Sequence, residues 1–297
     1  MGSLDNFLKV YDSELRSFIE RNYPQSDLCG KMVNYALSGN GKRVRPALLY
    51  LTYRLFSDVD DITLILPSSI ALEMVHTYSL IHDDLPCMDD DSKRRSRYTV
   101  HVLYGQAQAV LTGDAILTDS FSVISDPSFF GLEDKLEDSI KLKLISYLSQ
   151  GAGSFGMVKG QVLDVYASCM RVESEPLLKT IQLNKTAKLI QVAMKMGASL
   201  GGAFAQDIDE VSQIGSIIGE VFQIQDDLLD ASITTKTPGK DSKEFKLTSL
   251  TNNSRTDLVR YVNLSMSEVE DRVSKLSRKD KDDEFKKYID RLISRSY

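Results

Sequence analysis

Leu4, Phe7, Leu8, Tyr11, Leu15, Phe18 and Ile19 recur at the three- and four-residue spacing that lines up one face of an α-helix, and Pro24 closes the segment. The same period returns along the chain. Pro46 and Pro67 open RPALLYLTYRLF and PSSIALEMVHTYSLIHDD as first-turn prolines, where a missing N–H does no harm. Further helices are expected from about Val100 to Ile124, Lys135 to Leu148, Leu177 to Met196, Ile208 to Asp230 and Asp257 to Leu276, with a short one near Tyr288. No convincing pair of alternating strands interrupts them. The irregular stretches SDPSFFGLED, Thr234 to Arg255 and SRKDKDDEF do not read as domain linkers. The expectation is an all-α fold: one large domain over residues 1–297, of about ten or more mostly antiparallel helices, with its site in a cavity between facing helices.

Composition narrows the function. With 42% hydrophobic residues the chain can bury a core, and a net charge of −6 without a long basic run argues against nucleic acid or a membrane surface as partner. No apolar stretch approaches the roughly 20 residues that span a bilayer. The start, MGSLDNFLKV, lacks the basic flank and apolar run of a signal peptide, and Asn6 stands where a myristoylation signal wants Ser or Thr. Cys29, Cys87 and Cys169 are odd in number and widely spaced, which fits a reducing compartment, and a cytoplasmic location is expected.

Two acidic clusters carry the chemistry. In IHDDLPCMDDDSKRR, Asp83, Asp84, Asp89, Asp90 and Asp91 crowd together just before Arg94 and Arg95. Such carboxylates repel by roughly 1 kcal/mol per pair even at water's dielectric, so something positive must compensate. In FQIQDDLLD, Asp226, Asp227 and Asp230 fall within roughly a 100° arc of a helix. A lone DDxxD is more often a solvated face. Here Val221, Phe222, Ile224, Leu228 and Leu229 surround the acids, and a carboxylate cluster in apolar surroundings must protonate or hold a cation. Mg²⁺ takes one or two carboxylates and completes its shell with water and substrate phosphates. Arg94 and Arg95 offer bidentate phosphate contacts.

These motifs, with GKRVRP, GDAILTDSF, GMVKGQVLD, NKTAKLIQVA, KTPGKDSKEFK and YIDRLISR in order, resemble the trans-isoprenyl diphosphate synthases (polyprenyl synthetases), most closely their bacterial farnesyl-making form. The resemblance spans nearly the whole chain. It implies a helical isoprenoid synthase fold, usually a homodimer, that joins isopentenyl diphosphate to dimethylallyl or geranyl diphosphate. It implies that Asp83, Asp84, Asp89, Asp226, Asp227 and Asp230 hold Mg²⁺, three ions with substrate bound, on the allylic diphosphate. It places Lys42, Arg45, His76 and Arg95 on isopentenyl diphosphate, and Arg94, Lys185 and Lys246, with Lys236 or Lys240, on the allylic diphosphate. Thr186 and Gln223 would turn oxygen dipoles toward the reacting carbons. Tyr78, about 7.5 Å down a helix from Asp83, resembles the aromatic floor that stops growth at fifteen carbons, with small Ser79 beside it. Farnesyl diphosphate is the expected product, geranylgeranyl or geranyl diphosphate the alternatives.

Departures and decoys are visible too. Where the family reads RRGKPT, this chain has Arg94-Arg95-Ser96-Arg97-Tyr98-Thr99, losing a Gly that tolerates positive φ and a Pro that presets the backbone. Asn40 and Ala187 replace usual glycines, and Ser92 a usual acid. Gly151, Gly153 and Gly156 spell GxGxxG without the βαβ unit that dinucleotide binding needs. Glu73 and His76 form one ExxH pair, whereas a di-iron bundle needs two. A class I terpene cyclase would share the metal-triggered ionisation, but its second motif differs and it has no use for Lys42, Arg45 and His76. A non-catalytic subunit tends to lose one acidic motif, and both are intact here.

Overall fold

The computed structural model describes residues 3–59, 61–126, 128, 135–234, 247–251, 253–278 and 283–293. Its helices are α1 Ser3–Asn22, α2 Leu28–Leu37, α3 Val44–Phe56, α4 Leu66–Asp83, α5 Val100–Tyr104, α6 Gln106–Ser125, α7 Asp138–Ala152, α8 Met157–Met170, α9 Glu175–Gln182, α10 Lys188–Leu200, α11 Ala205–Thr234, α12 Arg255–Ser274 and α13 Glu284–Ile293. A single π-turn, Leu183–Ala187, joins α9 to α10. The all-α expectation holds, with one small exception: β1 Lys93–Arg94 and β2 Arg97–Tyr98 form an antiparallel hairpin pairing Lys93 with Tyr98 and Arg94 with Arg97.

Three details differ from the sequence reading. The helix expected from Val100 to Ile124 is two helices, because Gly105 at φ 94° leaves the helical region between α5 and α6. α2 and α8 were not foreseen as separate elements. The stretch from Leu177 to Met196 is helical but passes through the π-turn.

The chain forms two compact units, Met1–Tyr50 with Val59–Ser146, and Leu51–Asp58 with Tyr147–Tyr297. In the first, α1 buries Leu4, Phe7, Tyr11, Leu15, Phe18 and Ile19, the stripe its spacing predicts, and Phe7 stacks on Tyr50 at 4.3 Å. α4 is buried nearly all round, through Ile70, Ala71, Leu72, Met74 and Val75, and packs along α6. That approach needs Gly113, where a Cβ would come 2.2 Å from Nε2 of His82. In the second unit α10 lies against α11, with Leu189, Ala193, Met194, Val211, Ile214 and Ile218 in the core. Side-chain caps start several helices: Asp27 accepts from the Gly30 amide and opens α2, and Ser254 opens α12.

Candidate active site

In the first unit α4 ends on Asp83, and Asp84 is its C-cap. The chain then folds back on itself: the Asp89 amide donates to the Asp83 carbonyl at 2.9 Å, and the Asp90 amide to that of Leu85 at 3.1 Å. This turn brings the backbones of Asp83 and Asp89 together, and both residues are half-buried. Asp84 is buried, 4% exposed, and its Oδ1 lies 2.6 Å from Nη2 of Arg94, which also reaches Asp91 at 3.3 Å. Burial pushes the Asp84 carboxyl up, and the Arg94 guanidinium partly pulls it back.

Around His76, two residues before Tyr78, positive charge collects. His76 is pressed well below the ordinary histidine value, first by burial and then by the guanidiniums of Arg45, Arg95, Arg94 and Arg43. Arg43 donates from Nε to Asp12 at 2.9 Å and from Nη1 to Glu73 at 2.6 Å, and Arg95 donates to the Asn40 carbonyl at 2.7 Å. A small cavity of about 80 Å³ is lined by Asp84, Arg94, Arg95, Arg43 and Glu73 among others. Its lining sets four arginines, Arg43, Arg94, Arg95 and Arg97, against two acids, Glu73 and Asp84, an excess of positive charge that attracts an anion. Of the sequence candidates here, Arg45, His76, Arg94 and Arg95 are brought together, and Lys42 is exposed on the loop just before α3.

The sequence reading missed Arg43. The signal was weak, a further basic residue in GKRVRP, and its two partners lie on α1 and α4, far along the chain. Tyr78 is buried, its hydroxyl pushed up to about 12 by burial and by Asp83, so it stays protonated. Its ring meets His82 edge-on at 5.8 Å. Ser79 donates to the His76 carbonyl at 2.9 Å.

His76 gives a pH dependence with a definite sign. Above the ordinary histidine pKa of about 6.5 both folded and unfolded chains hold this ring neutral, and it adds no slope. As pH falls below that value the unfolded chain takes up a proton that the folded site refuses, so stability drops by up to about 1.4 kcal/mol per pH unit. His76→Gln is expected to flatten the fall of the unfolding midpoint between about pH 6.5 and 5. An unchanged slope in denaturant titrations over that window contradicts the assignment.

In the second unit a hydrogen-bonded rail fixes the other candidates. Thr186, in the π-turn, donates to Oε1 of Gln223 at 2.7 Å; Gln223 donates from Nε2 to Asp227 at 3.0 Å; the Ser249 amide donates to the other Asp227 oxygen at 2.8 Å; and Gln182 donates to the Ser249 hydroxyl at 2.7 Å. Burial pushes the Asp227 carboxyl up, against the bonds from Ser249 and Gln223. Asp227 is thus held on both oxygens by protein. Asp226 is half-buried and Asp230 exposed on the same helix.

Lys185 donates to Asp164 of α8 at 2.5 Å, a partner the sequence reading did not name although it sits in GQVLD. The π-turn is where α8 presses closest: a Cβ on Gly160 would lie 2.2 Å from the Lys185 amide nitrogen. Gly219 of α11 likewise makes room for the methyl of Ala187, one of the departures noted above, since a Cβ there would meet Ala187 at 2.4 Å. π-turns recur at functional sites because they re-aim side chains within a helix. Lys236, Lys240 and Lys246 lie outside the described residues.

Among the described residues no three His, Cys, Asp or Glu side chains converge as a ready metal cage. The donor set is nonetheless hard carboxylate oxygen, which suits Mg²⁺, an ion that uses one or two carboxylates and relies on phosphate and water for the rest. Among the described residues no helix is long and apolar enough to cross a membrane, and the three cysteines are free and exposed.

The first unit carries arginines beside an acidic turn and the second an acidic motif on a long helix, donor types that suit metal ions and phosphate groups. A family model described as polyprenyl synthetase matches residues 26–290. The chain is 39% identical to a farnesyl diphosphate synthase of Bacillus subtilis over 240 residues, 80% of this chain and 75% of that one. It is 38% identical to a farnesyl diphosphate synthase of Geobacillus stearothermophilus over 246 residues, covering 80% and 79%. Among solved structures, an FPP/GFPP synthase from Zymomonas mobilis superposes with a TM-score of 0.80 at 29% identity, covering 98% of this chain and 96% of that one. The chain belongs to the polyprenyl synthetase family and is a prenyltransferase of isoprenoid biosynthesis.

Proposed function

We propose that the chain condenses isopentenyl diphosphate head-to-tail with dimethylallyl or geranyl diphosphate, ending at farnesyl diphosphate, and that residues 1–297 act as one catalytic domain. The observation that carries this is the cavity lined by Arg43, Arg94 and Arg95, with Arg45 and His76 close by, next to the folded acidic turn of Asp83, Asp84 and Asp89. Two anions of opposite need explain that pairing. Isopentenyl diphosphate keeps its diphosphate and is gripped directly by the cations Lys42, Arg45 and Arg95, with a hydrogen bond from His76. The allylic diphosphate must lose its head, and carboxylates stand beside it.

Asp83, Asp89, Asp226 and Asp230 are the carboxylates we assign to Mg²⁺, with Asp84 and Asp227 behind them, tied to Arg94 and to Gln223 and Ser249. When bound, Mg²⁺, three ions with substrate, supplies Lewis-acid stabilisation of the departing pyrophosphate. Arg94 and Lys185 add positive charge on the same head group. The rail then orients two neutral dipoles. Because the Gln223 amide nitrogen is committed to Asp227, its Oε1 faces Thr186, which must donate the proton between them. Both oxygens keep lone pairs for positive charge developing on carbon. The reaction requires that water be kept from that charge, and the proton lost as the new alkene forms goes to the leaving pyrophosphate.

Turnover of labelled isopentenyl diphosphate by purified protein with Mg²⁺ and geranyl diphosphate tests the reading. Elongated diphosphates support it; cyclised hydrocarbon made without isopentenyl diphosphate, or no turnover, refutes it. Buried Tyr78 sets the product length in this account. Tyr78→Ala opens the floor and is expected to shift product from fifteen carbons to twenty or more, and a product spectrum unchanged by this substitution removes Tyr78 from that role.

The active species is proposed to be a cytoplasmic homodimer. Val158, Val162, Tyr166 and Met170 repeat every four residues along α8 and are exposed, the last three by more than half. An apolar stripe of that kind fits a second copy of the chain. Val162→Glu is expected to convert dimer to monomer in sedimentation; a parent protein that sediments as a monomer contradicts the proposal.

A further inference from the structure

The hairpin carrying Arg94 and Arg95 turns through two residues that dislike the conformation they adopt. Arg95 has φ 51° and Ser96 φ 65°. A two-residue turn with both central residues at positive φ is the kind that glycine, asparagine and aspartate fill, because a Cβ there crowds the backbone. Nothing in the local sequence supplies such a residue. The turn is therefore held from outside.

The outside partner is Tyr35, in the last turn of α2. Its hydroxyl donates to the Tyr98 carbonyl at 2.6 Å, and its own carbonyl accepts from Nη2 of Arg97 at 3.1 Å. The Arg97 guanidinium lies over the Tyr35 ring, 4.1 Å from its centroid, while Tyr104 meets the ring from another side at 5.8 Å. Lys93 covers the Tyr98 ring at 5.1 Å. Tyr35 thus touches both residues of β2, Arg97 and Tyr98. Just beyond α2, the Asn40 carbonyl accepts from Arg95 at 2.7 Å, so the clasp and the arginine it serves are anchored on the same stretch of chain.

We propose that Tyr35 and Arg97 form a clasp that positions Arg95 for isopentenyl diphosphate, holding a turn that its own residues disfavour. Arg95 and Ser96 are the strained pair, so loss of the clasp displaces Arg95 first. Arg94 has independent anchors in Asp84 and Asp91 and stays in place. Tyr35 and Arg97 are positioning residues, and the inference rests on the reading of Arg95 as an isopentenyl diphosphate ligand.

The test is steady-state kinetics on the full chain with both substrates varied, alongside thermal unfolding. Arg97→Ala and Tyr35→Phe are expected to raise KM for isopentenyl diphosphate about tenfold and about threefold while kcat and KM for geranyl diphosphate stay within about twofold, the signature of lost ground-state binding. Arg97→Lys, which keeps the charge near the ring, recovers part of the loss. Ser96→Gly, which relaxes the turn itself, restores most of it in the Arg97→Ala background. A merely structural role predicts instead that kcat and the unfolding midpoint fall together with KM and that Ser96→Gly restores nothing, and that result overturns the proposal. So does an unchanged isopentenyl KM in both clasp variants when Arg95→Ala raises it. If Arg95→Ala itself has no effect on that KM, the assignment of Arg95 falls, and the clasp with it.

Discussion

Asp226→Ala is expected to turn over about a thousandfold more slowly than the parent protein, yet to unfold at nearly the same temperature. The two halves of this result have different causes. In the proposed mechanism turnover falls because a carboxylate at this position would hold divalent metal against the leaving group. Stability holds because the bonds that fix α11 to the π-turn and to Ser249 run through Asp227 and Gln223. Removing one charge from a group of like charges also relieves repulsion. Single-turnover rates with geranyl diphosphate, set beside circular dichroism melts, read both halves. Activity within tenfold of the parent contradicts the assignment, and a collapsed melt shows that Asp226 is structural.

Arg94→Ala is expected to cost both activity and about 3 kcal/mol of stability. Asp84 is 6% exposed at its side chain, and Arg94 closes on it at 2.6 Å. Truncating one member of such a pair leaves an uncompensated buried carboxylate, which typically costs about 3–5 kcal/mol; the lower end applies because Arg94 is itself 32% exposed at its side chain and solvent reaches it. Asp84→Asn in the same chain removes the stranded charge, so the double variant is expected to recover most of the stability and none of the activity. Urea titrations with unchanged slope quantify the first effect. Recovery of turnover in the double variant contradicts a diphosphate role for Arg94, and a single variant as stable as the parent contradicts the buried pair.

The parts of the fold that the sequence declared were those whose cause is local. The α1 stripe buries the residues its spacing predicts, because one face of a helix meeting one core is a periodic signal. α8 carries Val158, Val162, Tyr166 and Met170 on an exposed face, so its apolar residues do not mark the core and the helix was not separated out. The hairpin at Lys93–Tyr98 is invisible locally, since Arg95 and Ser96 are not residues that announce a turn of that type. What holds it is a tyrosine some sixty residues earlier.

The site divides the same way. Acid clusters and the basic residues around them are contiguous motifs and were legible through their chemistry and the family resemblance. Arg43 was not, because its place depends on Asp12 and Glu73 in other helices. Asp164 acquires meaning only once Gly160 lets α8 reach the Lys185 backbone. The rail from Thr186 to Ser249 joins residues that no motif connects, and it also refines one expectation: Asp227, first grouped with its neighbours, is oriented by protein on both oxygens.

The central claim is that the two aspartate motifs act together on a single allylic diphosphate. Its most direct test is a crystal structure of the parent protein with Mn²⁺ and an unreactive thio analogue of geranyl diphosphate, with metals located by anomalous scattering. The account predicts divalent ions bridging the diphosphate oxygens to carboxylates of both motifs, Asp83 or Asp89 on one side and Asp226 on the other. A diphosphate bound through arginines and lysines with no ion at either motif, or ions at one motif only, contradicts it.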